Sequence, residues 1–592
     1  MNKKNIRFWI IEISVLVLFG SIFFRLATLH IYPKNWITHR TEKIRLYEDK
    51  PIADRGQIID RNYELFALDS PGYTLFADNK YIDKYGDAKL VASILSKELF
   101  IDEDILLEML SNTRKGYVPL LKNKPFNHPS FRKLKANNST SIVYKENKKE
   151  VILKGVVLQN VRIRSYPKNT MLSHVLGYVN YDRIGSAGLE QMYNKFLKGK
   201  EGYRRGKKDA KRSEVYDQRE VDTPPQDGST LVLTIDQEIQ DKVEDVIYRM
   251  HRKYKSKAVW AIVQNIQTGE IIAMASYPSF NPIKYNKVDA EWRRNRTISV
   301  NYDPGSTMKA ALIAIAIDNN IVGKDDVLNC ENGRWLHAGK YLHDTKNYEE
   351  LTVSEILKVS SNIGSAKIAL KLGDKNLYEG LKSFNFGEKL DIGLPGEEKG
   401  QLNNIDQWTK ISSSRIGIGQ GITTTALQMI SMMSCIANDG VQMKPYILKE
   451  IISSEGKTVL KNYPTKIGNP ISANTSRIMR EMLVGAVEDE NGTGKNARIT
   501  NYKIAGKTGT AQKVKPIEEG GGYYDDKYVS SFIGFFPANN PQISILVTAD
   551  DPTEKHYGGT VCGPAFKEIA DHTIKYLKIP PEGKKIYITR EN

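Results

Sequence analysis

Near the start of the chain the polar positions almost vanish. After Lys3, Lys4 and Arg7, the run from Phe8 to Phe24 is almost wholly apolar, interrupted by Glu12, Ser14 and Ser21, and weaker apolar character continues past Arg25 to Ile31. That length predicts a helix able to cross a bilayer, which takes about 20 residues. From Pro33 to Glu220 short apolar runs alternate with dense Lys, Glu and Asn. Within this stretch Asp54 to Asn62 reads as a strand between charged turns. Leu90 to Leu110 carries apolar residues at helical spacing, and Ser186 to Lys198 sets Leu189, Met192, Tyr193, Phe196 and Leu197 on one face, so each predicts an amphipathic helix. The charged segment Gly206 to Gln226, which ends in Pro224-Pro225, predicts a linker or long surface loop and a domain boundary.

Beyond that boundary the rhythm changes. Leu231 to Ile235 predicts a strand, and the chain from Gln237 a helix. Ala258 to Asn265 and Glu270 to Ala275, joined by Ile266-Gln267-Thr268-Gly269, predict a hairpin; Val529 to Phe536 and Ile543 to Thr548 predict another. Between the hairpins lies a mostly helical block, Ser306 to Asn438. It opens on Asp303-Pro304-Gly305-Ser306-Thr307-Met308-Lys309 and runs on through Ala310 to Ile317, apolar on every side, which predicts a buried helix. Strands at both ends with helices between them predict an α+β domain, an antiparallel sheet with helices packed on it.

Length and charge narrow this picture. A chain of 592 residues is too long for one core. Its formal charge of +17 implies an anionic neighbourhood such as a phospholipid surface or an acidic wall polymer. No zinc-finger spacing, RNP-like aromatic run or basic heptad accompanies that charge, so nucleic acid is not expected as a partner. The cysteines, Cys330, Cys435 and Cys562, are odd in number and far apart, which argues against a disulfide framework. The apolar N-terminal run has no small-x-small cleavage site after it and positive charge before it. It therefore predicts an uncleaved single-pass anchor, with the N-terminus cytoplasmic and the bulk outside.

Three short segments carry candidate chemistry. Ser306 and Lys309 emerge on one face within a turn, a hydroxyl beside an amine, which is a nucleophile with a base. Ser360-Ser361-Asn362 falls between two helical runs and can point a hydroxyl and an amide into a cleft. Lys503-Ile504-Ala505-Gly506-Lys507-Thr508-Gly509-Thr510-Ala511 invites a phosphate-binding reading, but that motif needs glycine where Asn501 stands. As an exposed strand the segment would instead pair with an extended peptide, with Lys507, Thr508 and Thr510 fixing its carboxylate. Each segment alone also fits a plainer reading: a helix cap with a surface lysine, or a Ser/Asn turn.

Together, in the order S-x-x-K, S-x-N, K-T-G, they match the set found in penicillin-interacting serine enzymes. The chain resembles the class B penicillin-binding proteins, monofunctional peptidoglycan D,D-transpeptidases of the division or sporulation type. The resemblance extends to Arg55-Gly56 with Asp60-Arg61, Gly185-x-x-Gly188-Leu189-Glu190, Thr268-Gly269-Glu270, Gly417-Ile418-Gly419-Gln420-Gly421 and Gly492-Thr493-Gly494-Lys495. It implies a membrane anchor (1–32), an elongated pedestal of the dimerisation type (33–225), a transpeptidase domain with helices on both faces of the sheet and a helical subdomain (226–580), and a basic tail (581–592). It implies catalysis by Ser306, Lys309, Ser360, Asn362 and Lys507. Thr508, Gly509 and Thr510 would contact substrate, and the N–H groups of Ser306 and Thr510 would form the oxyanion hole. The partners it implies are stem peptides ending in D-Ala-D-Ala, an amine acceptor, β-lactams, the membrane and a separate glycan polymerase. A membrane-anchored β-lactamase and a non-catalytic wall scaffold are the alternatives.

The implied chemistry requires no cofactor. Zinc enters by a different route, since His556 with Cys562, and Cys330, His337, His343 and Asp344, are ligand types in two clusters along the sequence. Neither spacing matches a standard zinc motif, and a free buried cysteine is the commoner outcome.

Overall fold

A computed structural model describes residues 3–31, 35–114, 116–138, 140–209 and 214–581; the expected basic tail lies almost wholly outside them. The apolar N-terminal run forms one helix, Lys3–Ile31, of which Ile6–Ile31 is long and apolar enough to cross a membrane. The rest divides into two compact units. One takes in Ser70–Ile163 and Gly199–Asp227 with the chain up to Asp54, the other Arg55–Asp69, Arg164–Lys198 and everything from Gly228. The chain therefore passes between the units several times.

In the first unit residues 72–78 pair antiparallel with Tyr117–Pro125. Leu134–Asn138, Ser141–Glu146 and Lys149–Lys154 form a separate three-stranded meander. The single helix expected over Leu90 to Leu110 is two. Ala88–Leu99 starts at Asp87, whose side chain accepts from Leu90 N–H, and ends at Phe100 in a left-handed conformation (φ 56°). Glu103–Ser111 then starts afresh, with Asp102 accepting from the N–H groups of Asp104 and Ile105. Two N-capping aspartates a short distance apart define two starts, and apolar spacing alone does not register them. The linker or long surface loop expected over Gly206 to Gln226 carries strands instead. Tyr203–Lys208 pairs with Leu46–Asp49, Glu214–Val215 and Val221–Thr223, so a charged segment is held in a small sheet by backbone pairing.

The second unit is built on a five-stranded antiparallel sheet, in the order Ile271–Tyr277, Ala258–Asn265, Ile543–Asp550, Tyr523–Phe536, Ala505–Val514. Both expected hairpins are present in it. Strand periodicity of two decides what each face carries. Val259, Ala261 and Val263 pack with Ile239, Val243 and Ile247 of the helix Gln237–Tyr254 and with Phe566 and Ile569 of the helix Gly563–Tyr576. Trp260 and Ile262 face the other way, into a core shared with Leu312, Ile313, Met429, Ile430 and Met433. The helix Lys309–Asp318 is buried from Lys309 through Ile317, as its lack of a polar face requires. This is the α+β sandwich expected, with helices on both faces.

A second sheet in this unit joins Thr230–Leu233 to Ile58–Ile59 and to Leu448–Ile452. Beside it the Arg55-Gly56 and Glu190 motifs meet. Glu190 accepts from Arg55 Nε at 2.6 Å, from Arg164 Nε at 2.6 Å and from the Tyr166 hydroxyl at 3.3 Å, all buried. A carboxylate between two guanidiniums satisfies charges that would otherwise be expensive to remove from water. The helix expected over Ser186 to Lys198 is two short turns, Gly188–Met192 and Asn194–Leu197, arranged around this carboxylate.

Candidate active site

Ser306 lies on a 3-10 turn, Gly305–Met308, immediately before the buried helix. The turn is fixed from outside: Gly305 N–H donates to Gly419 O at 3.1 Å, and Tyr302 and Thr424 exchange backbone hydrogen bonds at 3.0 and 2.9 Å. Thr307 Oγ1 donates to Pro304 O at 2.7 Å, closing the turn on itself. Ser306 is half-buried and lines a cleft of about 520 Å³ together with Ser360, Asn362, Thr508 and Thr510.

The second segment sits where expected, between the helices Val353–Val359 and Asn362–Leu372. The first helix opens on a capping box, Thr352 with Glu355, and closes on Ser360 in a left-handed conformation (φ 66°). A non-glycine residue held there costs about 1–3 kcal/mol and persists only where its surroundings fix it. Here the strain turns the Ser360 carbonyl and hydroxyl toward the buried helix. Lys309 Nζ donates to Ser360 O at 2.7 Å and to Asn362 Oδ1 at 2.8 Å, and lies 3.3 Å from Ser360 Oγ.

The third segment forms the strand Ala505–Val514 at the edge of the main sheet. It is an edge strand as expected but not an exposed one at the lysine, since Lys507 is 0% accessible. Lys507 Nζ donates to Ser360 Oγ at 2.9 Å and to Thr508 O at 3.2 Å. Gly509 allows the close approach. A Cβ there would lie 2.3 Å from Ser531 Oγ and 2.9 Å from Thr307 Cγ2 on the Ser306 turn. Thr508 Oγ1 donates to Thr493 Oγ1 at 3.0 Å, and Thr510 Oγ1 accepts from Gly558 N–H at 3.1 Å.

The electrostatics follow from burial. Lys309 is also 0% accessible, and taking an ammonium out of water disfavours its charged form. Burial pulls the Lys309 amine down to about 7, against the opposing pull of the Asp344 carboxylate. Burial first, and the nearby Lys309 second, hold Lys507 well below the usual lysine range. Two buried amines that share one serine hydroxyl do not both carry a full charge at neutral pH.

All five residues expected to act in catalysis, Ser306, Lys309, Ser360, Asn362 and Lys507, thus lie in one site, with Thr508, Gly509 and Thr510 along its edge strand. The zinc candidates do not assemble. His556 stacks on Tyr528 at 4.2 Å at the rim of the cleft, while Cys562 is buried, its Sγ donating to Ser530 O at 3.3 Å. Burial pushes the Cys562 thiol far up. In the other cluster His337 stacks on Trp335 and Cys330 Sγ points at Leu328 O. Among the described residues no group of three or more His, Cys, Asp and Glu side chains comes together that could hold a metal ion. Sequence reading had Asp344 in that cluster and missed its contact with the Ser361-Asn362 turn. It also missed Tyr528 and Tyr557 as cleft residues; no local motif marks them.

Comparison with known proteins agrees with this geometry. Residues 259–571 match the penicillin binding protein transpeptidase domain, and residues 50–233 match the penicillin-binding protein dimerisation domain. The chain belongs to the class B penicillin-binding proteins. It is 31% identical over 547 residues to stage V sporulation protein D of Bacillus subtilis, covering 90% of this chain and 80% of that protein. It is 28% identical over 584 residues to the peptidoglycan D,D-transpeptidase FtsI of Escherichia coli, covering 98% of this chain and 93% of that one. Penicillin binding protein 3 of Mycobacterium tuberculosis, in complex with aztreonam, superposes with a TM-score of 0.68 at 26% identity, covering 90% of this chain and 98% of that one.

Proposed function

We propose that this protein is a serine-type peptidoglycan D,D-transpeptidase, anchored by its N-terminal helix, whose acyl-enzyme forms on Ser306 and which β-lactams inhibit by acylating the same hydroxyl. The observation that carries the reading is the pair of buried amines, Lys309 and Lys507, on either side of the Ser360 hydroxyl.

In this reading neutral Lys309 takes the proton of Ser306 as Oγ attacks the carbonyl carbon between the two terminal D-alanines. Its two N–H bonds are engaged by Ser360 O and Asn362 Oδ1, which leaves the nitrogen lone pair for that proton. The backbone N–H groups of Ser306 and Thr510 hold the oxyanion, and losing one such donor typically costs about 10²–10³ in turnover. As the C–N bond breaks, the proton passes from Lys309 through Ser360 Oγ to the departing D-alanine amine. An acceptor amine then attacks the ester, gives up its proton by the reverse route and displaces Ser306, forming the cross-link. Lys507, with Thr508 and Thr510, meets the terminal carboxylate of the donor peptide. The same site can admit water in place of the amine, giving a carboxypeptidase side reaction. No step calls on zinc or another cofactor. In this reading a separate membrane polymerase supplies the glycan strands.

The test is labelling with a fluorescent penicillin, wild type against Ser306→Ala. The expected result is stable label on the wild type and none on the variant. Label retained by Ser306→Ala would remove Ser306 from the mechanism. Rapid release of hydrolysed penicillin by the wild type would make the protein a β-lactamase, and a folded wild type that takes no label would make it a scaffold.

A further inference from the structure

The Ser360-Ser361-Asn362 turn is gripped from outside by a residue that the chemistry above does not use. The exposed hairpin formed by Arg334–His337 and Lys340–His343 runs directly into Asp344, whose own N–H donates to Gly333 O at 3.1 Å. Its carboxylate reaches the turn with both oxygens. Oδ2 accepts from Ser361 Oγ at 2.6 Å, and Oδ1 accepts the N–H groups of Asn362 at 2.5 Å and Ile363 at 3.1 Å. Those are unpaired donors of the first turn of the helix Asn362–Leu372, and Ser361 Oγ takes a third, from Gly364, at 2.9 Å. The preceding carbonyl completes the grip: His343 O accepts from Asn362 Nδ2 at 2.9 Å. With its nitrogen committed there, the Asn362 amide has only its oxygen to offer Lys309 Nζ, 2.8 Å away. The hairpin end therefore sets the orientation of the side chain that orients the lysine.

We propose that Asp344 is a positioning residue for the transpeptidation chemistry: it locks Asn362 and the strained Ser360 against the Lys309 amine and places one negative charge opposite that amine. The proposal rests on the assignment of Lys309 as the base. The Asp344 carboxylate acts on Lys309 from the hairpin, and Lys309 in turn acts on Lys507 of the edge strand. Lys358, on the helix before Ser360, is committed to Asp489 at 3.3 Å, and Lys495 lines the cleft from the Gly492–Lys495 side. Asp344 attracts the protonated form of Lys309 and so opposes burial. Removing its charge makes the amine easier to deprotonate, and the neutral base then persists to lower pH.

The experiment measures the rate of acylation by a fluorescent penicillin against pH, on the full chain in detergent, for wild type, Asp344→Asn and Asp344→Ala. Asparagine keeps an oxygen for the two backbone N–H groups and a nitrogen that can donate to Ser361 Oγ, but carries no charge. Asp344→Asn is expected to hold the high-pH plateau and to move the acidic limb down by about half a pH unit or more. A residue of structural importance alone would change the plateau and leave the limb in place. Asp344→Ala, which also frees the turn, is expected to lose about tenfold or more of the plateau rate. An Asp344→Asn limb coincident with the wild-type limb overturns the proposal, as does an Asp344→Ala plateau equal to wild type. A wild type with no acidic limb near pH 7 sinks the assignment of Lys309 as base and the proposal with it. A wild-type limb that Asp344→Asn leaves unmoved sinks the proposal alone. If the alanine variant does not fold, the asparagine variant still decides.

Discussion

Placing even one methyl group on Gly509 would bring the edge strand into collision with the turn that carries Ser306. The added Cβ would meet Ser531 Oγ at 2.3 Å, Thr307 Cγ2 at 2.9 Å and Pro304 O at 3.2 Å. The last two atoms belong to the Ser306 turn, so the strain is relieved by the strand and the turn moving apart. Catalytic groups misplaced by about 1 Å lose on the order of 10² in rate. Gly509→Ala is therefore expected to acylate with penicillin about a hundredfold more slowly while its melting temperature changes little; an unchanged rate would mean that Ser531 alone gives way. At this scale the sequence was informative about which groups belong together and silent about how they are held. S-x-x-K, S-x-N and K-T-G named every group on the two amines. Nothing in them announced that Lys507 is fully buried or that Ser360 is strained, because both follow from contacts with distant segments.

Elements show the same division between local and non-local information. The buried helix after Ser306 was legible because an apolar run without a polar face can form only inside a core. Both hairpins of the main sheet were legible from alternation and turn chemistry. Leu90 to Leu110 was misread as one helix because capping aspartates, not apolar spacing, decide where a helix restarts. Gly206 to Gln226 was misread as a linker or surface loop because its order comes from a partner strand, Leu46–Asp49, far away in sequence. The buried cluster at Glu190 lies between these cases: Arg55 and Glu190 stood in recognisable motifs, and Arg164 did not. Removing the carboxylate leaves two guanidiniums buried without their counter-ion, and breaking such a pair typically costs about 3–5 kcal/mol. Glu190→Ala is thus expected to lower the thermal midpoint substantially while penicillin labelling of the protein that remains folded is kept. A melt that matches wild type would show that water reaches the cluster and solvates Arg55 and Arg164.

For the whole molecule, two physical attractions to a membrane act together and can be separated. One is the apolar helix ending at Ile31, long and apolar enough to cross a membrane; a helix that does so inserts effectively irreversibly. The other is the charge of +17, which draws the chain toward any anionic surface but is screened within about 10 Å at 0.1 M salt. Deleting residues 1–31 removes Lys3, Lys4, Arg7 and Arg25 along with Glu12, so most of the positive charge stays on the remaining chain. The truncated protein is expected to float with anionic vesicles at low salt, to release at high salt, and to acylate with penicillin within about twofold of the full-chain rate, since no cleft residue precedes Gly305. The full chain should stay with the bilayer at every salt concentration. Flotation at stepped ionic strength reads both behaviours. A truncated protein that remains on vesicles at high salt would assign membrane retention to a surface beyond the helix. A truncated protein that is released yet acylates poorly would mean that the membrane-spanning segment helps to hold the catalytic unit in shape. In the expected case the helix confines an already complete active site to the membrane surface.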